Sequence, residues 1–392
     1  MRPTFRIAAA LAACLLMTGC AWTKGWMTGW TKEKGPVTIG AIYNLNGAQM
    51  ALDIPSSEGA RLAVGRANKD GGVLGRKVTL EVVDGQSTPQ YIAEVTRDLL
   101  EKEPATVGLI GLSDTDMVLA AAPIAAQHKK VFLTSGATSP LLPAQVPEYL
   151  FLACFGDNVQ AAAAAEWAYR TLKARRVAVI FNEDTAYTRL LHGYFETRFK
   201  QLGGTIASVQ PYRLTGFTVN VEDLRKADLV YFAAYPDDVT TVIPLLRSAG
   251  VTAPILGGDG LDIGDAWNKI PQTRDVYFTT HAYLGANNPD PAVQRFRALF
   301  AEAYPNKKPD AFTALGYDAA DLMMAAIKKA GNAEPAAVRK ALAATTNFHG
   351  VTGTISYRGG GRIPVKSVTI MRVDGGQVRF VENVMPESVP AP

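Results

Sequence analysis

The sequence predicts an α/β protein made of two similar lobes, each a mainly parallel sheet with helices on both faces. From Val37 onward, short apolar runs alternate with amphipathic helical segments, and the same alternation starts again near Asn158. This alternation is typical of βαβ units, in which consecutive strands lie parallel within one sheet. The chain of 392 residues also exceeds what one hydrophobic core usually organises, so two domains are expected.

The first lobe is predicted from apolar runs separated by amphipathic segments. In its first helix, Ala60, Val64 and Ala67 recur at helical spacing, and the turn signal at 70–72 ends that segment. We predict strands at 37–43, 77–83, 107–111 and 131–134, and helices at 57–68, 89–101 and 117–128.

The second lobe repeats this order. We predict strands at 176–181, 205–212, 228–232, 254–256 and 276–279, and helices at 158–172, 190–202, 219–226 and 239–249.

The C-terminal part has a different pattern, with helices predicted at 291–303, 314–330 and 335–344 and strands at 352–357 and 366–373. Because a parallel sheet needs helices on both faces, we expect these helices to return to the first lobe and the last strands to the second. The expected lobes are 36–155 with 280–350, and 156–279 with 351–392, joined by a hinge that the chain crosses several times.

The N-terminus predicts export and lipidation. Arg2 and Arg6 precede an apolar run, residues 7–17, that is shorter than the roughly 20 residues needed to span a bilayer. The following Met-Thr-Gly-Cys ending at Cys20 resembles a lipobox, with a methionine in the place of the usual leucine. We expect a signal peptide at 1–19, a lipid on Cys20 and a tether at 20–35, which would anchor the protein to a membrane in the periplasm or at the cell surface. An ordinary signal peptide with a coincidental cysteine is the alternative.

Charge and cysteine content exclude several classes of protein. The formal net charge is +4, and removal of Arg2 and Arg6 leaves 38 basic against 36 acidic residues, so we expect no nucleic-acid partner. After export and lipidation only Cys154 would remain as a free thiol, which leaves no internal disulfide. We interpret Cys154 as a buried apolar side chain rather than a reactive group.

Loops after the first-lobe strands carry candidate ligand groups, because ligands of open parallel sheets bind beyond the carboxyl ends of the strands. The loops at 112–116 and 135–140 offer hydroxyls and backbone amides near a helix start, which suit a carboxylate. Helix capping by Ser113 or Asp114 is an alternative role that does not exclude ligand contact.

Loops after the second-lobe strands supply a carboxylate and two aromatic side chains. Asp259 would take an ammonium group, while Tyr187 and Tyr235 would form walls around the ligand. An ordinary turn role for Asp259 is the alternative. The spacing of Asp259, Asp262 and Asp265 does not match the calcium loop of an EF-hand, so we predict no metal site.

Sequence signatures of common enzymes and cofactor sites are missing, including a nucleophile elbow, a zinc-protease helix motif and a P-loop. The four histidines, His128, His192, His281 and His349, lack ligand spacing and are interpreted as surface or strand-end residues. We therefore expect no enzymatic activity and no cofactor.

Eight blocks of the sequence, in the same order, resemble the branched-chain amino-acid-binding (Leu/Ile/Val-binding) family of ABC-transporter receptors. The resemblance covers residues 36–380. The blocks are 37–40 with 46–47, 59–63, 68–75, 110–113, 134–140, 256–260, 314–319 and 350–353.

This resemblance implies a type I periplasmic-binding fold, with two Rossmann-like lobes, three hinge strands and a ligand in the interlobe cleft. It implies a receptor that binds a small amino-acid-like ligand by closure and delivers it to ABC permease subunits. We expect this receptor to be a monomer that is anchored to the membrane through the lipid on Cys20. A tethered sensor that acts on a signalling or cell-wall partner is the alternative function.

The resemblance also implies roles for single residues. Ser113 matches a serine that binds the ligand carboxylate, and Asp259 stands where leucine receptors have a glutamate that pairs with the ammonium group. The shorter Asp259 and the carboxylate of Asp114 are departures from the family, and Asp114 favours a polar or amide-containing ligand. The remaining expected ligand-binding residues are Gly136, Ala137 and Thr138 in the carboxylate loop, Tyr187 and Tyr235 in the pocket, and Leu52 where an aromatic often covers the ligand side chain.

Overall fold

The computed structural model describes residues 35–357 and 359–392. The predicted signal peptide, Cys20 and all of the predicted tether except Gly35 lie outside these residues. Within them, no helix is both long and apolar enough to cross a membrane.

The first sheet is fully parallel, with strand order β2-β1-β3-β4-β5. Its central strands are buried apolar segments, as expected for a sheet covered on both faces. The elements in chain order are β1 Val37–Tyr43, α1 Met50–Lys69, β2 Val78–Asp84, α2 Pro89–Lys102, β3 Gly108–Gly111, α3 Thr115–Gln127, β4 Val131–Thr134, α4 Leu142–Gln145 and β5 Leu150–Leu152.

The next part of the chain begins a second sheet, which is also parallel at its centre. Every residue of its central strand Leu229–Ala233 is buried. The elements are α5 Asp157–Arg170, β6 Arg176–Asn182, α6 Ala186–Gln201, β7 Thr205–Tyr212, α7 Val221–Arg225, β8 Leu229–Ala233, α8 Pro236–Ser248, β9 Ile255–Gly257 and β10 Val276–Thr280.

Three C-terminal helices, α9 Pro291–Ala303, α10 Ala311–Ala330 and α11 Pro335–Ala343, share a hydrophobic core with the first sheet. The contact between α1 and α10 is very close because each helix presents a glycine to the other. A Cβ on Gly316 would lie 1.8 Å from the carbonyl oxygen of Ser56, and one on Gly59 would lie 1.9 Å from that of Thr313. Only glycine allows this backbone approach.

The chain ends with two hairpins. The first, β11 Phe348–Gly350 with β12 Gly353–Ile355, buries Ile355 in the core that also contains β1, although we assigned 351–357 to the second lobe from sequence. The second, β13 Val368–Asp374 with β14 Gln377–Val384, completes the second sheet in the order β14-β13-β10-β9-β8-β6-β7. The sequence did not predict β14, because it is an edge strand with no buried residue and without a clear apolar run.

Helices that follow the predicted binding loops begin earlier than the sequence predicted. The sequence places helix starts at the first apolar residue of the periodic pattern, whereas a polar capping turn precedes it. In α6, Thr185 is the N-cap and its side chain accepts from the backbone amide of Thr188, so the helix includes Tyr187. In α8, Pro236 occupies the first turn, directly after Tyr235.

Candidate functional site

A cavity of about 330 Å³ lies where the carboxyl ends of the two sheets meet. Seven of the nine residues expected from sequence line it, namely Leu52, Ser113, Asp114, Thr138, Tyr187, Tyr235 and Asp259. The lining also contains Thr115, Pro236, Gly260 and Phe312, which the sequence analysis missed.

The first-lobe wall is built by the turn after β3. Gly111 and Leu112 have φ values of +123° and +51°, and this turn brings the next three residues to the cavity. The Ser113 hydroxyl is buried beside the carboxyl of Asp53, whose pKa burial raises to about 7 while the interaction with Ser113 opposes the rise. The hydroxyl of Thr115 is buried and makes no hydrogen bond to any described residue. Such a group loses its solvation without compensation, which favours a partner that is supplied from the cavity.

Gly136 and Ala137 lie behind this wall rather than on the cavity surface. A Cβ on Gly136 would lie 3.0 Å from the Ser113 hydroxyl oxygen, so glycine allows Ser113 to sit against this loop. The backbone amide of Ala137 donates to Thr134 Oγ1 at 3.1 Å. The Ala137 amide is therefore already hydrogen-bonded within the first lobe, while Thr138 reaches the cavity.

Asp114 combines helix capping with exposure to the cavity. One oxygen of its carboxylate accepts from the backbone amide of Met117 at 3.0 Å, which caps α3. The other accepts from the hydroxyl of Tyr235, which belongs to the second lobe. Burial raises the pKa of Asp114 to about 6, because a charged carboxylate is poorly solvated there.

Asp259 is the carboxylate of the second-lobe wall and is held by three side chains. Its Oδ1 accepts from the Tyr187 hydroxyl at 2.7 Å and from Gln160 Nε2 at 2.8 Å, and its Oδ2 lies 2.9 Å from Nε2 of His281. Burial alone would raise its pKa, but the interactions with His281, Gln160 and Tyr187 keep the pKa below the ordinary value. The group is therefore an ionised carboxylate at neutral pH.

Gln160 and His281 are supporting residues that the sequence analysis did not identify. Gln160 Oε1 accepts from the backbone amide of Asp259 at 3.1 Å and from Thr279 Oγ1 at 2.7 Å. His281 follows β10, as a strand-end residue, but it is buried rather than on the surface. Its ring stacks on Phe155 with centroids 4.0 Å apart. It therefore links Asp259 to the segment between β5 and α5, where the chain passes from the first sheet to the second.

A second buried carboxylate, Asp157, lies beside this network. Gln160 Nε2 donates to its Oδ1 at 2.9 Å, and the side chain of Thr138 also interacts with this carboxyl. Burial, together with the negative charge of Asp259, raises the pKa of Asp157 to about 8. Asp157 is therefore largely protonated at neutral pH, and Asp259 carries the charge.

Within 35–357 and 359–392, no group of His, Cys, Asp or Glu side chains is arranged to hold a metal ion. Asp262, which follows Asp259 at a spacing of three, instead accepts from the Thr280 hydroxyl at 2.5 Å. Burial raises its pKa to about 7.

A larger depression of about 1620 Å³ lies elsewhere on the protein and includes Asp262, Arg297 and Asp310. Two of its charged groups already have partners: Arg297 donates to the carbonyl of Leu284, and Asp310 caps α10. None of the unpartnered buried polar atoms of the described residues belongs to its lining. The smaller cavity is therefore the better candidate site.

Comparison with known proteins gives consistent matches over almost the whole described chain. The sequence profile of a family described as "Periplasmic binding protein" matches residues 36–377. Leu/Ile/Val-binding protein homolog 3 of Brucella melitensis is 29% identical over 353 residues, covering 88% of this chain and 94% of that protein. Leu/Ile/Val-binding protein BraC3 of Rhizobium johnstonii is 27% identical, with the same two coverages of 88% and 94%.

Solved structures share the fold. A leucine-binding protein, LivK, from Thermotoga maritima superimposes with a TM-score of 0.80 at 30% identity, covering 90% of this chain and 99% of that one. The branched-chain amino acid transporter substrate-binding protein LivJ from Streptococcus pneumoniae, in complex with isoleucine, gives a TM-score of 0.81 at 24% identity, covering 90% and 100%.

Proposed function

Because this chain belongs to the periplasmic binding protein family, we propose that it is a lipid-anchored receptor that closes around a small amino-acid-like ligand and delivers it to an ABC importer. Membership of the family makes the chain an extracytoplasmic solute-binding receptor. The lipid anchor, the class of ligand and the delivery to an importer are the proposed parts. The observation that supports binding of an amino-acid-like ligand is the cavity in which Ser113 of one lobe and Asp259 of the other face a common space.

The carboxylate of the ligand is assigned to the first-lobe wall. Ser113 offers a buried hydroxyl, and Thr138 lies in the same lining. The N-terminal end of α3, which starts at Thr115, adds the positive end of a helix dipole. The cavity lining contains no lysine or arginine, so hydroxyl and amide donors are the groups that bind the carboxylate in this proposal.

The ammonium group of the ligand is assigned to Asp259. A carboxylate offers about four lone-pair sites, and Tyr187, Gln160 and His281 occupy three of them. One site therefore remains for the ligand. The three donors also fix the direction of the carboxylate, which supports this assignment even though aspartate is one methylene shorter than glutamate.

Closure of the lobes is supported by contacts that join them across the cavity. Tyr235 of the second lobe donates to Asp114 of the first. A ligand that touches both walls binds the closed arrangement better than an open one, and this difference in affinity is what drives closure.

Delivery to an importer is favoured over the alternative of a tethered sensor by the relatives. The name of the Streptococcus pneumoniae structure describes a transporter substrate-binding protein, and the Thermotoga maritima structure is a leucine-binding protein. Uptake of labelled ligand into vesicles that contain the cognate permease distinguishes the two roles, because a sensor would bind ligand without supporting uptake.

The test of ligand binding is a thermal-unfolding titration of the mature protein with the common amino acids and their amides. A ligand that binds only the folded state raises the Tm progressively with its concentration. We expect at least one α-amino acid to do so. If no amino acid or amide shifts the Tm, the proposed function is wrong.

A further inference from the structure

The proposed backbone clamp leaves part of the first-lobe wall unused. Ser113, Asp114 and Thr115 all line the cavity, but the clamp needs only Ser113 from this segment. Asp114 is 5% exposed and Thr115 is 3% exposed, so both side chains are withdrawn from bulk water. Their polar groups therefore face whatever fills the rest of the cavity.

Thr115 provides an unsatisfied hydroxyl. Its Oγ1 is buried and makes no hydrogen bond within the described part of the chain. It belongs to the first residue of α3, where the side chain is free of the capping role that Asp114 fulfils. An apolar ligand group at this place would leave the hydroxyl without a partner, whereas a polar group would satisfy it.

Asp114 provides unused acceptor capacity. It receives one hydrogen bond from the Met117 amide and one from the Tyr235 hydroxyl, although an ionised carboxylate has about four lone-pair sites. No lysine, arginine or histidine lies in the cavity lining to neutralise it. This wall therefore offers free acceptor sites and no positively charged side chain.

The rest of the lining provides apolar surface, which does not distinguish polar from aliphatic ligand side chains. Leu52, Phe312 and Pro236 are the apolar parts of the lining. They would cover a ligand side chain of any polarity. The choice between polar and aliphatic side chains therefore depends on Asp114 and Thr115.

We propose that Asp114 and Thr115 form a side-chain subsite that selects α-amino acids whose side chain ends in an uncharged hydrogen-bond donor, a carboxamide or a hydroxyl, over branched aliphatic ones. The proposal rests on the proposed function, because it assigns the part of the first-lobe wall beside Ser113 that the backbone clamp does not use. Side-chain carboxylates are excluded by repulsion from Asp114. Branched aliphatic ligands are disfavoured because they leave both polar groups unpaired.

The test is calorimetric titration of the mature protein with ligand pairs of similar shape. Threonine is compared with valine, and asparagine is compared with leucine and with aspartate. Sites that hydrogen-bond a ligand group reject analogues without it strongly, and we expect at least about 10-fold tighter binding of the favoured donor in one of these comparisons.

Two variants connect the preference to these residues. Asp114→Ser removes the carboxylate but keeps a good N-cap for α3, and Thr115→Val removes the hydroxyl at nearly constant volume. Thr115→Val should weaken binding of the donor ligand and leave binding of its aliphatic partner unchanged or improved. Asp114→Ser also removes the acceptor of the Tyr235 hydroxyl, so it should weaken binding of both ligands, and of the donor ligand more strongly. A uniform loss for both ligands would instead indicate a structural role and would overturn the proposal.

The outcomes separate this proposal from the function on which it rests. If leucine or valine binds as tightly as its donor counterpart, the subsite is wrong while amino-acid binding stands. If lysine binds best, the commitment to an uncharged donor is wrong. If no amino acid binds, the proposed function fails and the subsite fails with it.

Discussion

The hydroxyl of Tyr235 on the second lobe donates a hydrogen bond to the carboxylate of Asp114 on the first, directly across the candidate ligand cavity. The same carboxylate caps α3 through the amide of Met117. One side chain thus connects the start of a first-lobe helix to the start of a second-lobe helix, because Tyr235 directly precedes α8. Movement of the lobes must make or break this contact.

Tyr235→Phe should loosen the closed arrangement while retaining the ring. A hydrogen bond to a charged group contributes about 1.5–3 kcal/mol, so we expect ligand affinity to fall by about 10-fold or more. Calorimetric titration measures this change. Tyr231→Phe is the matched control, because the Tyr231 hydroxyl is buried without a partner among the described residues. Equal affinities in the Tyr235 variant and the wild type would contradict the assigned role.

Asp259→Asn should remove the charge that faces the ligand ammonium with little change of shape. Loss of one member of a buried charge pair costs about 2–5 kcal/mol, so an affinity loss of at least about 30-fold is expected. Asp262→Asn is the control, since that carboxylate bonds to Thr280 and does not line the cavity. Retained affinity in the Asp259 variant would remove Asp259 from the site.

Buried acids should make the protein less stable as the pH rises. The pKa of Asp157 is raised from 3.8 to about 8, mainly by burial, so the folded state holds a proton that the unfolded state releases near pH 4. Its contribution to stability is present below pH 4 and is lost as the pH rises to about 8. Asp157→Asn mimics the protonated form and should reduce the fall in Tm between these pH values. An unchanged pH profile would show that Asp157 is ionised in the folded protein.

The packing of α1 on α10 should depend on glycine at position 316. A Cβ there would lie 1.8 Å from the Ser56 carbonyl oxygen, so Gly316→Ala should destabilise the protein by about 1–3 kcal/mol or more in urea unfolding. Gly65→Ala in α1 is the control, because nothing lies within 4 Å of its Cβ position. There, alanine should stabilise the helix by about 0.5–1 kcal/mol. Similar effects at both positions would argue against the close helix contact.

Lipidation predicts a change of location when Cys20 is replaced. In cells, Cys20→Ala should move the mature protein from the membrane fraction to the soluble fraction and abolish labelling by a fatty-acid probe. Replacement of Cys154, which is buried, should affect neither property. A soluble wild-type protein would favour the ordinary signal peptide.

The two-lobed α/β fold could be predicted from sequence, and the solved structures confirm it. It was predictable because buried parallel strands such as Leu229–Ala233 form continuous apolar runs between amphipathic helices. The edge strand Gln377–Val384 was missed because none of its residues is buried and it has no clear apolar run. Helix starts were placed too late because the first turn of a helix is polar and capped.

The candidate site was predictable only where one rule of topology applied. Ser113, Asp114 and Asp259 follow strand ends, which meet at one edge of each sheet. Gln160 lies in α5, 99 residues before Asp259, and His281 follows β10. No local sequence pattern therefore connects either residue to that carboxylate. Their roles depend on how the hinge segments bring distant parts of the chain together.

The central claim is that the two lobes clamp the backbone of an α-amino acid, with Ser113 on its carboxylate and Asp259 on its ammonium group. The most direct measurement is a calorimetric titration of the mature protein with its tightest-binding amino acid, with the α-carboxamide of that amino acid, and with its analogue that lacks the amino group. We predict that each analogue binds at least about 30-fold more weakly than the parent. If either analogue binds as tightly as the amino acid itself, that half of the clamp does not exist and the account is wrong.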